Sequence, residues 1–260
     1  MEPLQPFIPI FMNIFRYFLF AGIAYWIFYV WKRKELFYRK IQQKYPTQEH
    51  FRREIKYSVI SAVIFGCLGT LVFWAKKQGY TLLYTSVSEY GWAYLVFTIF
   101  LLIFIHDTYF YWTHRLMHHP RIFKWVHLVH HQSHNTSPWT SFAFHPIEAI
   151  IEAAFFPIIV FVLPIHPLAG FIFLLYSIIM NVVGHTGFEF HPKNSLKHPF
   201  LKWFNTPTHH NLHHQYSRSN YGLYFNFWDK IMQTNDQQYE QKFDEVQARI
   251  SHTENTHPSI

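Results

Sequence analysis

Imidazole combines a metal-binding lone pair with a pKa near neutrality, and this 260-residue sequence carries 20 of them. Sixteen fall between His114 and His214, and their spacing is ordered. Asp107, Tyr111, His114 and His118 follow one another at intervals of four, three and four. On a helix that is one stripe, and two imidazoles at i and i+4 can grip one ion. Pro120 ends that helix. A second helix beginning near Arg121 places His127, His130 and His131 on one face, and His210, His213 and His214 repeat that spacing. His185 follows Asn181 by one turn at the end of an apolar run.

These positions give nine candidate metal ligands: His114, His118, His127, His130, His131, His185, His210, His213 and His214. A single structural or catalytic zinc takes three or four protein ligands, so nine imidazoles point to two ions, with four or five ligands each and room for a bridging water or hydroxide. Spacing does not name the metal, because imidazole suits iron, zinc, copper and nickel. The carboxylate-bridged two-metal site of helix bundles needs Glu-x-x-His, and the sequence offers that only at Glu254 to His257. Asp107, Glu148, Glu152 and Glu189 are the only carboxylates from Asp107 to Trp228. Asp107 and Glu148 are the candidates to orient an imidazole. Tyr111, His134, His145 and His209, with His119 and His191, are candidates for contacts behind the ligands or to a substrate. His50, His166, His198, His252 and His257 read as ordinary polar side chains.

The elements that position these residues are apolar. Half the chain is hydrophobic, 21% is aromatic and only 14% is charged, which excludes disorder. Met12 to Trp31, Tyr57 to Ala75 and Tyr90 to Ile105 are each close to the length of a membrane span. Lys32, Arg33 and Lys34 follow the first run rather than precede it, so it is expected to be an uncleaved anchor. Ala149 to Leu163 and Leu168 to Val183, joined by Pro164, His166 and Pro167, form an expected short hairpin, either crossing or re-entrant. The net charge is +7, and nine of the 22 basic residues lie from Lys32 to Lys56, between two apolar runs. That distribution fixes orientation rather than nucleic-acid binding: this loop is expected in the cytoplasm, and the histidines with it. With Cys67 alone, no disulfide, Cys-ligated zinc or dithiol redox pair can form.

The expected fold is therefore an all-α integral membrane protein of about four to five membrane helices, the last two a short hairpin, capped by a cytoplasmic histidine-rich helical region. Three stretches follow: membrane-anchor helices over 1–105, a catalytic region over 106–232 that includes the hairpin 149–183, and a polar tail over 233–260, read as lacking an apolar period and loosely ordered.

Asp107-Thr-Tyr-Phe-Tyr-Trp-Thr-His114-Arg-Leu-Met-His118, His127-Leu-Val-His130-His131 and His210-Asn-Leu-His213-His214 together resemble the three histidine boxes of the fatty acid hydroxylase and sterol desaturase superfamily. Ser141 to Glu148 and Tyr221 to Asp229 look most like its sterol C-5 desaturase branch. The resemblance covers about 106 to 232. It implies a non-haem di-iron enzyme that uses O2 to hydroxylate or desaturate a lipid C–H bond, sterol-like or fatty acyl. The eight box histidines would ligate iron with His185 as the ninth; His119, His134 and His209 are extra to the pattern, which leaves pairings open in which one of them replaces a ligand. It also implies a separate electron donor, ferredoxin-like or cytochrome b5-like with its reductase, and residence in a bacterial inner membrane or the endoplasmic reticulum. Two competing readings are weaker. A metal transporter would place ligands near the bilayer midplane, yet the apolar runs contain no histidine. A membrane zinc metallohydrolase would want His-Glu-x-x-His, and no His-Glu dipeptide occurs.

Overall fold

The computed structural model describes residues 7–256. The first six residues of the anchor region and the last four of the tail, with His257, lie outside the described residues. Among the described residues the regular elements are helical. α1 (Ile8–Tyr25) runs on into a π-helical stretch, Trp26–Trp31. α2 (Gln48–Lys77), α3 (Gly91–Met117), α6 (Pro146–Ile159) and α7 (Pro167–His185) complete the apolar set. Four segments, Ile8–Trp31, α2, α3 and α7, are long and apolar enough to cross a membrane. The chain is an integral membrane protein, and the side chains that α1 and α3 turn outward are of the matching kind: Phe11 is 66% exposed and Phe100 68%.

Small residues set the helix contacts. A Cβ on Gly66 of α2 would come within 2.3 Å of the Ile10 backbone in α1, so only glycine admits that approach. Tyr17 and Ala21 of α1, Ala62 of α2 and Ile178 and Val182 of α7 then share one core cluster with Phe142 and Phe144. α6 has 14 residues, about 21 Å of helix against a hydrocarbon core of about 30 Å. The turn beyond it makes up the depth. Leu82 and Tyr84, in the α2–α3 connection, donate backbone hydrogen bonds to Val160 and Ile165. The hairpin therefore reaches the far end of the bundle, and His166, bonded to the Thr85 carbonyl, sits there rather than with the other histidines.

The 27 residues of α3 make about 40 Å, longer than the hydrocarbon core. The helix therefore carries His114 beyond the apolar run that begins it. α4 (Pro120–Val126), α5 (Leu128–His131), α8 (Pro207–Tyr216), α9 (Phe227–Ile231) and α10 (Tyr239–Thr256) gather at that end. Two expectations change here. The helix expected from Arg121 through His131 is interrupted at His127, whose φ of −117° separates α4 from α5; the His131 amide still reaches the His127 carbonyl at 3.3 Å, so the i, i+4 relation survives. The loosely ordered tail is instead α10, because Tyr239, Phe243, Val246 and Ile250 form an apolar stripe at helical spacing and are buried. Tyr239 and Phe243 pack on Leu212 of α8, while Arg249 donates to the Lys40 carbonyl at 2.8 Å. The basic loop and the histidine cap thus share one end of the molecule.

Candidate metal centre

The nine expected ligands converge in two nests. Around the first, the Nε2 atoms of His114 and His127 are 3.0 Å apart, His127 and His131 3.1 Å, His131 and His213 3.0 Å, and His213 and His118 3.2 Å. In the second, Nε2 of His185 lies 2.9 Å from His210, 3.2 Å from His214 and 3.4 Å from His130. The nests adjoin: the rings of His131 and His214 stack with centroids 5.0 Å apart. Eight of the nine side chains are buried, and His118 is half-buried.

The helices explain the convergence. His114 and His118 leave the last turn of α3, His127 to His131 follow the proline-started α4, and α8 presents His210, His213 and His214. Thr206 caps α8 by accepting from the His209 amide, with Pro207 in the first turn. His185 ends α7, and its Nδ1 donates to the Asn181 carbonyl at 2.7 Å.

Tautomers follow from the partners. Nδ1 of His114 donates to the Tyr221 carbonyl at 2.8 Å, Nδ1 of His213 to the Ser219 carbonyl at 2.6 Å, and Nδ1 of His127 to Glu148 Oε1 at 2.6 Å. His131 Nδ1 shares a 2.8 Å hydrogen bond with the Ser217 hydroxyl. An imidazole that donates through Nδ1 carries its lone pair on Nε2, so lone pairs face each other across about three ångströms. Protonation does not relieve this. Burial, followed by repulsion among neighbouring imidazoles, holds His127, His130, His131, His210, His213 and His214 well below the usual histidine range. A cation between them does relieve it. With metal–imidazole bonds of about 2.0–2.1 Å, neighbouring nitrogens are about 3.0 Å apart at right angles and about 3.4 Å apart in a tetrahedron, and the separations here span that interval. The donor set therefore fits two ions, five imidazoles around one and four around the other.

The remaining expected residues divide. Glu148 is buried against His127, as a residue orienting that ring should be. Asp107 does not touch a ligand: its Oδ1 accepts from the Tyr224 and Phe225 amides at 2.7 and 3.3 Å. Tyr111 points away from the nests, bonding Thr234 Oγ1 at 2.9 Å and stacking on Trp228. His209 lies 3.4 Å from Asp229 Oδ2, and His134 is exposed with Nδ1 3.3 Å from the His214 carbonyl. His119 and His145 cap helices: Nδ1 of each accepts from the amide two residues on, Arg121 and Ile147. None of His119, His134, His145 or His209 joins either nest.

What spacing did not reveal is the loop from Ser217 to Phe225. Ser217 and Asn220 have φ of 58° and 61°, and the turn aims the Ser219 and Tyr221 carbonyls at two ligands. Asp229 holds it from behind by accepting from the Tyr221 and Gly222 amides at 2.9 and 2.7 Å. At Gly222 a Cβ would lie 2.6 Å from the Phe225 carbonyl oxygen.

On the bundle side the nests back onto a cavity of about 340 Å³. Its lining Phe144 and Phe110 have ring centroids 4.9 Å from His130 and His114. Phenylalanine dominates the walls, with Arg16, Glu152 and Asn181 among the few polar lining residues.

Comparison with known proteins places this architecture. The family model described as fatty acid hydroxylase matches residues 99–234. A Delta(7)-sterol 5(6)-desaturase of Gibberella zeae is 33% identical over 186 residues, 70% of this chain and 56% of the relative. Another of that name from Aspergillus fumigatus is 33% identical over 229 residues, 82% of this chain and 69% of the relative. Human lathosterol oxidase is 33% identical over 182 residues, covering 69% and 59%. The chain thus spans just over half to about two thirds of the length of these relatives. No solved structure matches.

Proposed function

This chain belongs to the fatty acid hydroxylase family, and on that premise we propose that it is a membrane-bound, O2-dependent di-iron oxidoreductase that desaturates or hydroxylates a lipid C–H bond. The observation that carries the reading is the pair of adjoining imidazole nests with every Nε2 turned inward. His114, His118, His127, His131 and His213 would hold one iron and His130, His185, His210 and His214 the other. The iron pair, when bound, supplies the reduction of O2 and the cleavage of the C–H bond.

The residues around it have defined work. Glu148 and the Ser219 and Tyr221 carbonyls keep Nδ1 protonated, so that Nε2 remains the ligating atom. Imidazole survives an oxidising centre better than thiolate does, and Cys67 lies on α2 at an exposed position away from the nests. Phe110 and Phe144 wall the cavity beside the ligands, exclude water and leave an apolar seat for the substrate. Full reduction of O2 takes four electrons; the substrate gives two, and the other two, with two protons, come from outside. A separate donor is needed, ferredoxin-like or cytochrome b5-like with its reductase. The names of the relatives favour a sterol-like lipid over a fatty acyl chain as the substrate. The basic loop beside the cap supports a cytoplasmic active site, in an endoplasmic reticulum or bacterial inner membrane. Residues 106–232 would form the catalytic region, and 1–105 its anchor.

The test is a comparison of lipids from cells with and without the chain, supplied with iron and a reductase system. A lipid that gains one oxygen or loses two hydrogens only when the chain is present supports the reading. Unchanged lipids beside an iron-loaded protein that consumes no O2 would refute it.

A further inference from the structure

The polar side chains in the cavity are unequally used. Arg16 donates through its terminal nitrogens to Asn13 Oδ1 at 2.7 Å and to the Leu174 carbonyl at 3.4 Å, with only its Nε unpartnered, and His106 Nδ1 meets the Tyr224 hydroxyl at 3.0 Å. Two others are unspent. Glu152 makes no hydrogen bond or ion pair among the described residues, and Oδ1 of Asn181 is buried without a partner. Both stand at the metal end. Glu152 follows Glu148 by four residues on α6, a separation of about 5–6 Å between neighbouring side chains, and Glu148 grips His127. The Asn181 carbonyl grips His185. One unspent group therefore sits beside each nest, joined to it through one residue.

We propose that Glu152 and Asn181 form a specificity-determining pair that receives the hydroxyl of an alcohol-bearing lipid and fixes it a few bonds from the carbon turned toward the metals. The proposal rests on the lipid-oxidising reading above and names its substrate class. A hydroxyl both donates and accepts, which a carboxyl and a carboxamide can answer together. A carboxyl withdrawn from water is driven toward its neutral form and then donates as well. A pure hydrocarbon would leave both polar groups unpaired, which is the mismatch that polar pockets reject most strongly. Glu152 stands one helical turn from Glu148, which bonds His127, and that spacing favours a ring alcohol, in which hydroxyl and reacting carbon are close, over a long chain with a remote hydroxyl.

The test is equilibrium binding of labelled lathosterol to the purified full-length chain in detergent, with competition by the matching sterol lacking the hydroxyl and by palmitate. The wild type should prefer the alcohol by about tenfold or more, the ratio that about 1.4 kcal/mol produces. Glu152→Leu should abolish the preference while leaving the affinity for the deoxy sterol unchanged, Glu152→Gln should retain most of it, and Asn181→Leu should reduce it. If Glu152→Leu does not fold, the Asn181→Leu and Glu152→Gln results carry the same contrast. Equal binding of both sterols by the wild type, an undiminished preference in Glu152→Leu or Asn181→Leu, stronger binding of palmitate, or no binding of lathosterol would each overturn the proposal. Iron content and O2 consumption of the wild type, measured separately, report on the oxidising reading: an iron-free protein that still selects the alcohol through Glu152 sinks that reading and leaves this one standing.

Discussion

The five-histidine and four-histidine nests differ in what stands behind them. In the first, four rings pass Nδ1 to fixed partners: the Tyr221 and Ser219 carbonyls, Glu148 and the Ser217 hydroxyl. In the second, His185 is braced by the Asn181 carbonyl, but Nδ1 of His214 finds no partner among the described residues. Both nests meet a wall of the cavity, Phe110 against His114 and Phe144 against His130, so the bracing is what separates them. Ligand bracing raises metal affinity. The braced nest should therefore hold its ion more tightly, while the less braced one has freedom to adjust as a substrate seats beside it.

Cutting into the braced nest should have the largest effect. His213 Nε2 lies within 3.2 Å of both His118 and His131, so His213→Ala should abolish turnover and lose at least one metal ion per chain, whereas exposed His252→Ala should change neither. Elemental analysis beside an activity assay checks this, and identical behaviour of the two variants would show the ligand map to be wrong.

Acidification should come next and should separate the nests. Six of the candidate ligands have pKa values well below the ordinary histidine value in the fold. Below about pH 6.5 the unfolded chain binds more protons than the folded one. Stability and metal retention are then full above that pH and fall as it drops, with the four-histidine nest emptying first. Metal release followed from pH 8 to 5 (about the range in which histidine titrates) would show two steps; simultaneous release would show that the two nests hold metal equally well.

A more local change, Glu148→Gln, leaves all nine imidazoles in place but weakens the hold on His127. Metal affinity of the first nest should drop by about 10–100-fold, with the second unaffected, as read by chelator competition. The smallest effect belongs to the histidines outside the nests. His145→Ala removes the Nδ1 cap of α6 and should cost about 0.5–2 kcal/mol of stability, the range for lost side-chain caps, with metal content unchanged.

The convergence of the nine candidate ligands was legible because spacings of three and four recur on helices, and the helices were legible as long apolar runs. The capping role of His119, His145 and His166 has a signal in the sequence: each precedes a proline, which favours an extended residue there and can open a helix. The apolar stripe of α10 was likewise present in Tyr239, Phe243, Val246 and Ile250, but was diluted by polar neighbours. Helical spacing places Asp107 on the histidine stripe, whereas tertiary contacts give it the Tyr224 and Phe225 amides instead. The Ser217–Phe225 loop had no periodic signal at all. Its carbonyls, not its side chains, face His114 and His213, and backbone orientation in a loop with two positive φ angles is set by contacts distant in sequence.

On the proposed function, the two adjoining nests would each hold an iron. The most direct measurement is the iron content of the purified full-length chain, by elemental analysis together with Mössbauer spectroscopy of iron-57-grown protein. Two irons per chain in nitrogen-rich sites, falling when His213 or His130 is replaced by alanine, is the predicted result. A single zinc per chain, or iron content that survives both replacements, would contradict it.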